Sequence, residues 1–545
     1  MPVRCRRAAR GDRALARRLP PPRKPASRDE VPERRRASLP RARRRGRGGQ
    51  GGRIGGGRAA GRTVGLDRRS RRHRRDARRE RPRHRGADLE FDGAAHRELI
   101  RVSHEAGRDR ADRRAAGDVG IGTHRRGSAG VTTTVRDLAS LPRDLERARR
   151  GGAFGAKERA VAERVIADVR RRGDAAVLAN VRRFDDPAAR TTDLVADRAA
   201  LRRAGRSASR EIRAALDIAH ERIRSFHALQ RPRALASRDG SARARLIPTP
   251  LRRVGALVPR GTTSYPSTAL MTGVPARVAG VRELVVASPL ARAGEIDPAL
   301  AYALTLVDAD ALYRAGGAAG VAALAYGTRS LARVDKIVGP GNAYATAAKW
   351  LVSADVGIDA LEGPSELVAV ASRDADAAAL TLDLLAQAEH GSGAFAALIS
   401  DDTALLRSVA RELLGASARL RARVFIYRAP NLRTAARAIN EAAPEHALLA
   451  GRTAAAHADS IDRAGAVFIG ARSAVAFGDY VAGTNHCLPT GATARWASAL
   501  RVEDFVRWTS RVEMRGPLTS LIGAAAAIAG HEGMRYHAAS LEARG

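Results

Sequence analysis

From residue 156 to 180 the stretch AKERAVAERVIADVRRRGDAAVLAN repeats Ala, Val, Ile and Leu at intervals of three and four. That spacing predicts an amphipathic helix, and REIRAALDIAHERIRSFHAL (210–229) predicts another. The texture then changes. Short Val/Leu/Ile runs closed by Gly, Pro or Ser appear as RRVGALVP, RELVVASP, DALYRAG, VDKIVGP and ELVAVAS. Alanine-rich helical stretches such as STALMTGVPARVAG and AAGVAALAYG separate them. Strand-sized runs alternating with helical ones predict βαβ units and a parallel sheet. A second set follows: AALTLDLLAQAEHG, FAALISDD, TALLRSVARELLG, ARVFIYRA, NLRTAARAINEAAPEHALLAG and RAGAVFIG. It predicts a second α/β layer. The stretch after Ala494 reads as helical and ends in IAGHEGMRYHAASLEAR.

Residues 1–130 carry no such period. They are arginine-rich and low in complexity, as in RARRRGRGGQGGRIGGGRAAGR. Roughly 40 of the 97 basic residues, and about 25 of the net charge of +40, fall there. A segment with so little apolar surface cannot offset its ordering entropy. Three readings compete: a nucleic-acid-binding tail, a disordered extension without a role, or GC-rich DNA translated upstream of a misassigned start. The glycine cluster at 48–57 has no preceding strand and no following helix, so it is not a dinucleotide loop.

The 545 residues otherwise suffice for two or three domains. Two cysteines, Cys5 and Cys487, exclude a disulfide framework and a cysteine zinc cluster, which favours a reducing cytoplasm. No apolar run approaches membrane-spanning length, and no secretory h-region is visible.

No GxGxxG or GxxxxGK[ST] opens either α/β half. Polar side chains gather instead at junctions between strands and helices: GPGNAY (339–344), EGPSE (362–366), QAEHG (387–391), APEHA (443–447), FGDYVAGTNHCLPT (477–490) and HEGMRYH (531–537). Loops at the carboxyl ends of parallel strands are where such folds put ligands. Gln, His and Asp scattered over these segments could supply a mixed N/O metal site.

Six collinear motifs resemble the histidinol dehydrogenase family: VPRGTTSYPSTALMTGVPARVAGV, VDKIVGPGNAYATAAKWLVSADVGIDALEGPSE, LLAQAEHG, APEHALL, GDYVAGTNHCLPTGATARWAS and EGMRYHAASLEAR. The resemblance runs from about residue 131 to the end. It implies two Rossmann-like parallel-sheet domains without a GxGxxG loop, and small helical N- and C-terminal extensions that pack in a homodimer. The expected boundaries are an arm at 131–153, a discontinuous first domain at 154–256 and 367–500, a second, dinucleotide-side domain at 257–366, and a helical C-terminal domain at 501–545.

The same resemblance assigns roles. Gln387, His390, Asp479 and His537 would bind one zinc ion per subunit, and Glu445 and His446 would be the acid–base pair. Ser365, Glu532 and the zinc-ligand residues would face L-histidinol together with His446, with Glu532 and His537 reaching in from the partner of a homodimer. Asn342 would contact NAD. The implied reaction is a four-electron oxidation of the alcohol through an aldehyde to L-histidine, consuming two NAD. From the residues alone Asp479 could instead cap a helix, and Asn342 and Ser365 could be turn or cap residues.

Three departures cluster at the dinucleotide side. Leu257 stands where the family has tyrosine, Arg260 where it has glycine, and Ala319 where it often has glutamine. Glu362 replaces a small residue near the substrate loop. Two other readings stand beside this one: a related dehydrogenase acting on another polar alcohol such as a sulfonated diol, and a nucleic-acid-binding protein working through its tail. The complete ligand and acid–base sets favour histidinol.

Overall fold

The structure, a computed structural model, describes residues 131–545 apart from 262, 290, 292–293, 392 and 417–421. The arginine-rich segment lies outside the described residues. The chain begins with β1 (Val131–Asp137), α1 (Leu141–Ala148), α2 (Ala156–Arg172) and α3 (Asp174–Phe184). It continues through β2 (Val195–Asp197), α4 (Arg198–Gly205), α5 (Arg210–Ala228), β3 (Leu235–Arg238), β4 (Ala242–Pro250) and β5 (Arg253–Leu257). Next come α6 (Pro266–Ala279), β6 (Glu283–Ala287), α7 (Pro298–Leu306), β7 (Ala311–Tyr313), α8 (Gly317–Tyr326) and β8 (Lys336–Val338). After α9 (Ala343–Val352) and β9 (Gly357–Ile358) the chain enters β10 (Glu366–Ala371), α10 (Ala377–Ala388), β11 (Phe395–Ser400) and α11 (Thr403–Ala416). The remainder is β12 (Arg423–Arg428), α12 (Leu432–Ala442), β13 (His446–Ala450), α13 (Arg452–Ala455), β14 (Ala466–Ile469), α14 (Ala476–Tyr480), β15 (Val506–Met514), α15 (Thr519–His531) and α16 (Arg535–Glu542).

Three sheets result. Sheet I has the order β1-β12-β11-β10-β13-β14 with every neighbouring pair parallel. Sheet II has the order β2-β7-β6-β5-β8-β9, parallel except where β2 meets β7. Sheet III is an antiparallel ribbon, β15-β4-β3. The two parallel sheets bear out the expected α/β class.

Their strands are continuous apolar runs because both faces are covered. In β10 all six residues are buried. Leu367 and Ala369 point into one core, and Val368 and Val370 into the other, as the two-residue strand period requires. On sheet II, Ile166, Val169, Val177 and Val181 of α2 and α3 pack with Leu257, Val285 and Ile337. The opposite face takes Leu216 and Ile223 of α5 with Leu270 of α6 and Leu304 of α7.

α5 meets 481–500, where the Arg222 guanidinium donates to the Val481 carbonyl and Asn485 donates to His227. The helices of 154–256 cover sheet II, which takes β2 from that stretch and its other five strands from 253–358. Their apolar stripes match the faces of that sheet, and β5 lies at its centre. The 131–153 arm is not only helical, since β1 pairs parallel with β12 at the edge of sheet I. Likewise, the 501–545 segment is not only helical. After a 3-10 turn at Val502–Phe505, residues Val506 to Met514 pair with Pro250 to Ala242, and the α-helices begin at Thr519. In α15 only Ala529 is buried, and in α16 no residue is. Leu521, Ile528, Met534 and Tyr536 stand exposed on this pair.

Strand order fixes where ligands meet each sheet. In sheet II the connections reverse direction between β5 and β8, so the carboxyl ends at Leu257 and at the Gly339–Asn342 loop flank the switch point. Sheet I is used differently. EGPSE, QAEHG and APEHA precede β10, β11 and β13, so these motifs sit at amino ends of strands, not at the expected carboxyl ends.

One buried ion pair secures that amino edge. The Arg149 guanidinium donates to both carboxylate oxygens of Glu366, at 2.8 and 2.7 Å, and to the Ala442 carbonyl at 2.9 Å. The Glu366 side chain is 3% exposed. Removing the arginine leaves a buried charge without its partner, a loss typically of about 3–5 kcal/mol. Arg149→Ala is expected to lower unfolding free energy by about that amount in urea titration; a loss below about 1 kcal/mol would contradict the pairing.

Candidate active site

Glu445 and His446 stand where α12 gives way to β13. Ala443 ends the helix in the left-handed region at φ 45, and Pro444 cannot continue it. The next two residues are thereby set beside the start of β10. Glu445 accepts from the Ser365 hydroxyl at 2.6 Å and from the Glu366 backbone N–H at 2.9 Å. Burial is the largest influence on its carboxyl and pushes it up to about 8, against the lowering effect of those two hydrogen bonds. His446 donates from Nδ1 to the Glu366 carbonyl at 3.2 Å. Its ring lies 6.0 Å from that of Phe468, and burial pulls its pKa down. Near neutral pH the pair is therefore a neutral imidazole beside a largely protonated acid.

The other expected residues divide into two groups. Gln387 ends α10 buried, and its amide nitrogen donates to the Ser365 hydroxyl at 2.9 Å, leaving the carbonyl oxygen for a cation. Gly391, at φ 110, turns the chain after the helix. His390, on the exposed end of that turn, places Nδ1 3.3 Å from the Gln387 carbonyl. A backbone bond of this kind fixes the tautomer and leaves Nε2 as the ligating atom. His390 acts electrostatically on Glu445, and Asp479 acts on His446, so both belong to the same neighbourhood. Asp479 lies within short helix α14, where no side-chain cap bond forms, so the capping alternative fails.

Glu532 and His537 form the second group. They sit exposed on the α15–α16 pair, and among the described residues no hydrogen bond or ion pair joins them to this cluster. Among the described residues no set of three or more His, Cys, Asp or Glu converges closely enough to hold a metal. Gln387, His390 and Asp479 are nitrogen and oxygen donors of the kind zinc accepts.

Sequence reasoning missed His486. Its Nδ1 donates to the Asp479 carbonyl at 3.1 Å, and its Nε2 accepts from Thr268 at 3.3 Å. Asp479, His446 and His390 all act on it, and burial holds its pKa down. The signal lay inside TNHCLPT, seven residues after Asp479, but only the fold brings α6 and sheet I together around it. Glu362 also finds a role. Lys349 is fully buried and donates to Glu362 at 2.9 Å, Asp359 at 2.6 Å and the Gly339 carbonyl at 2.9 Å. These three bonds use every proton of the ammonium. They tie the Asp359–Ser365 crossover between the two sheets to the loop that carries Asn342.

A cleft of about 980 Å³ opens at the carboxyl edge of sheet II. Asn342 and Ala319 line it together with Pro289, Gly317 and Tyr344, and α2 and α3 form the facing wall. Asn342 is a helix cap, as one sequence alternative held, since its side-chain oxygen accepts from the N–H groups of Tyr344 and Ala345. The cap leaves the amide nitrogen for a ligand. Leu257 and Ala319 are buried in one apolar cluster, so neither supplies a polar contact. Arg260 is exposed and its backbone bridges to Ser264.

Residues 149–545 match the family model described as Histidinol dehydrogenase. The chain is 42% identical over 399 residues to the histidinol dehydrogenase of Cereibacter sphaeroides, covering 71% of this chain and 91% of that one. Against the Pseudomonas aeruginosa protein the identity is 41% over 396 residues, covering 70% and 89%. The crystal structure of histidinol dehydrogenase from Elizabethkingia anophelis superposes with a TM-score of 0.69 at 27% identity, covering 77% of this chain and 99% of that one. Fold and relatives define the class as an α/β oxidoreductase, here with a buried Glu–His pair at the amino edge of one parallel sheet. Within that class the chain belongs to the histidinol dehydrogenase family.

The Glu445 environment sets a pH dependence. A carboxyl raised to about 8 is protonated below that pH and works as a base only above it. The rate of the step that needs this base is expected to rise with pH through about 8 and then level off. Glu445→Gln should abolish that limb and lower the rate by about 100-fold or more. A rate flat from pH 6 to 10 in the unaltered enzyme would contradict the assignment.

Proposed function

We propose that this chain is a zinc-containing, NAD-dependent histidinol dehydrogenase, catalysing the last step of histidine biosynthesis in the cytoplasm. The observation that carries the reading is the Ser365–Glu445–His446 arrangement, in which one hydroxyl links the base to Gln387. Gln387, His390 and Asp479 would hold zinc, closed by His537 of a second copy. The exposed, solvent-facing α15–α16 pair supports that exchange, because a helix pair with so little buried surface gains from a partner. Glu532 of the second copy would meet the substrate from the same side. Asn342 would contact the dinucleotide in the adjoining cleft. No helix among the described residues is long and apolar enough to cross a membrane.

When bound, zinc would supply the positive charge that anchors the amino and imidazole nitrogens of L-histidinol, and NAD the hydride acceptor used twice. The chain's own residues do the rest. His446, neutral and held through Nδ1 by the Glu366 carbonyl, presents Nε2 to take the carbinol proton. Glu445, once ionised, takes a proton from the water whose oxygen attacks the aldehyde carbon. Ser365 orients Glu445 for that transfer, and the Arg149–Glu366 pair keeps the backbone beneath both residues in place.

The purified enzyme is expected to form two NADH per L-histidinol, to lose that activity on chelation, and to regain it with added zinc. His446→Ala should reduce turnover by about 100-fold or more while leaving zinc content unchanged. NADH formed from a sulfonated diol and not from L-histidinol would move the function to a related dehydrogenase.

A further inference from the structure

The wall of the 980 Å³ cleft opposite Asn342 is formed by the hairpin of α2 and α3. Five charged side chains of this hairpin line it: Arg164, Asp168, Arg171, Arg183 and, at the C-cap of α3, Asp185. Asp168 is already taken, because Arg171 and Arg172 both donate to it. Those contacts hold its carboxyl below the usual range. Arg164 forms no hydrogen bond or ion pair among the described residues. Arg183 has one neighbour of note, stacking 5.0 Å over the ring of Phe184. Phe184 itself is 71% exposed at the mouth of the cleft. Two cations without carboxylate partners and a bare aromatic ring thus face the side that carries Asn342. A phosphate beside a flat heterocyclic base satisfies both features at once.

We propose that Arg164, Arg183 and Phe184 form the subsite for the adenosine phosphate end of the dinucleotide, Phe184 stacking on the base and the arginines binding phosphate. The proposal rests on the reading of this cleft as the dinucleotide site. It also accounts for how the chain holds a dinucleotide although Leu257 and Ala319 offer no polar contact. Affinity shifts from the sheet edge to the opposing helices, where charge-assisted bonds from guanidinium replace neutral ones.

Equilibrium titration with ADP-ribose, which carries the adenosine diphosphate but no nicotinamide, tests the subsite without turnover. All the variants lie on the exposed faces of α2 and α3, and their circular dichroism should match that of the unaltered enzyme. Arg164→Ala and Arg183→Ala are each expected to weaken binding by roughly 10-fold and to flatten its dependence on salt. Phe184→Ala should weaken it by roughly 5- to 100-fold. Lys157→Ala, on α2 outside the cleft, should leave it unchanged. If all three cleft variants bind ADP-ribose as the unaltered enzyme does, the subsite is wrong although the cleft still takes the dinucleotide. If the unaltered enzyme neither binds ADP-ribose nor forms NADH from L-histidinol, the reading of the site fails with it.

Discussion

A carboxylic acid buried at the amino edge of a parallel sheet is the constraint on which the site depends. Glu445 sits out of water between β10 and β13, and burial would make its ionised form costly without the Ser365 hydroxyl and the Glu366 N–H. Both donors are rigid because Glu366 is itself pinned by Arg149 and by the Gly491 N–H at 3.0 Å. The chain from Arg149 through Glu366 to Glu445 and His446 is therefore one electrostatic unit. Changing any member alters what the others face.

The two sheets divide the labour. Sheet II presents its carboxyl edge and switch point to a nucleotide-sized cleft, while sheet I presents at its amino edge the buried Glu445–His446 pair with Ser365 and Gln387. The Asp359–Ser365 crossover joins them. Lys349 locks one end of it and the Ser365–Glu445 bond the other. The crossover thereby ties the cleft loop that carries Asn342 to the edge that carries Glu445. Glu532 and His537 stay exposed on the C-terminal helix pair.

Much of this was legible in the sequence because the physics was local. ELVAVA and FAALIS read as strands since sheets covered on both faces need unbroken apolar runs. Gln387 and His390 read as a pair since one helical turn separates them. What was missed depended on distant partners. VTTTVRD has too few apolar positions to announce a strand, yet β12 gives it a parallel edge. RWTSRVEM alternates weakly, and only pairing with β4 defines it. Nothing near Arg149 marks it as the partner of a carboxylate 217 residues away. The helices of 154–256 carry apolar stripes that fit either sheet, so their assignment waited on tertiary packing.

Infrared difference spectroscopy of the folded enzyme between pH 6 and 10, with Glu445→Gln subtracted, measures the ionisation of Glu445 itself. A protonated-carboxyl band is expected at neutral pH; it should vanish as the pH passes about 8 and be missing from the variant. A carboxylate ionised throughout that range would show that Glu445 is not held as a buried acid, and the division of roles between Glu445 and His446 would fall with it.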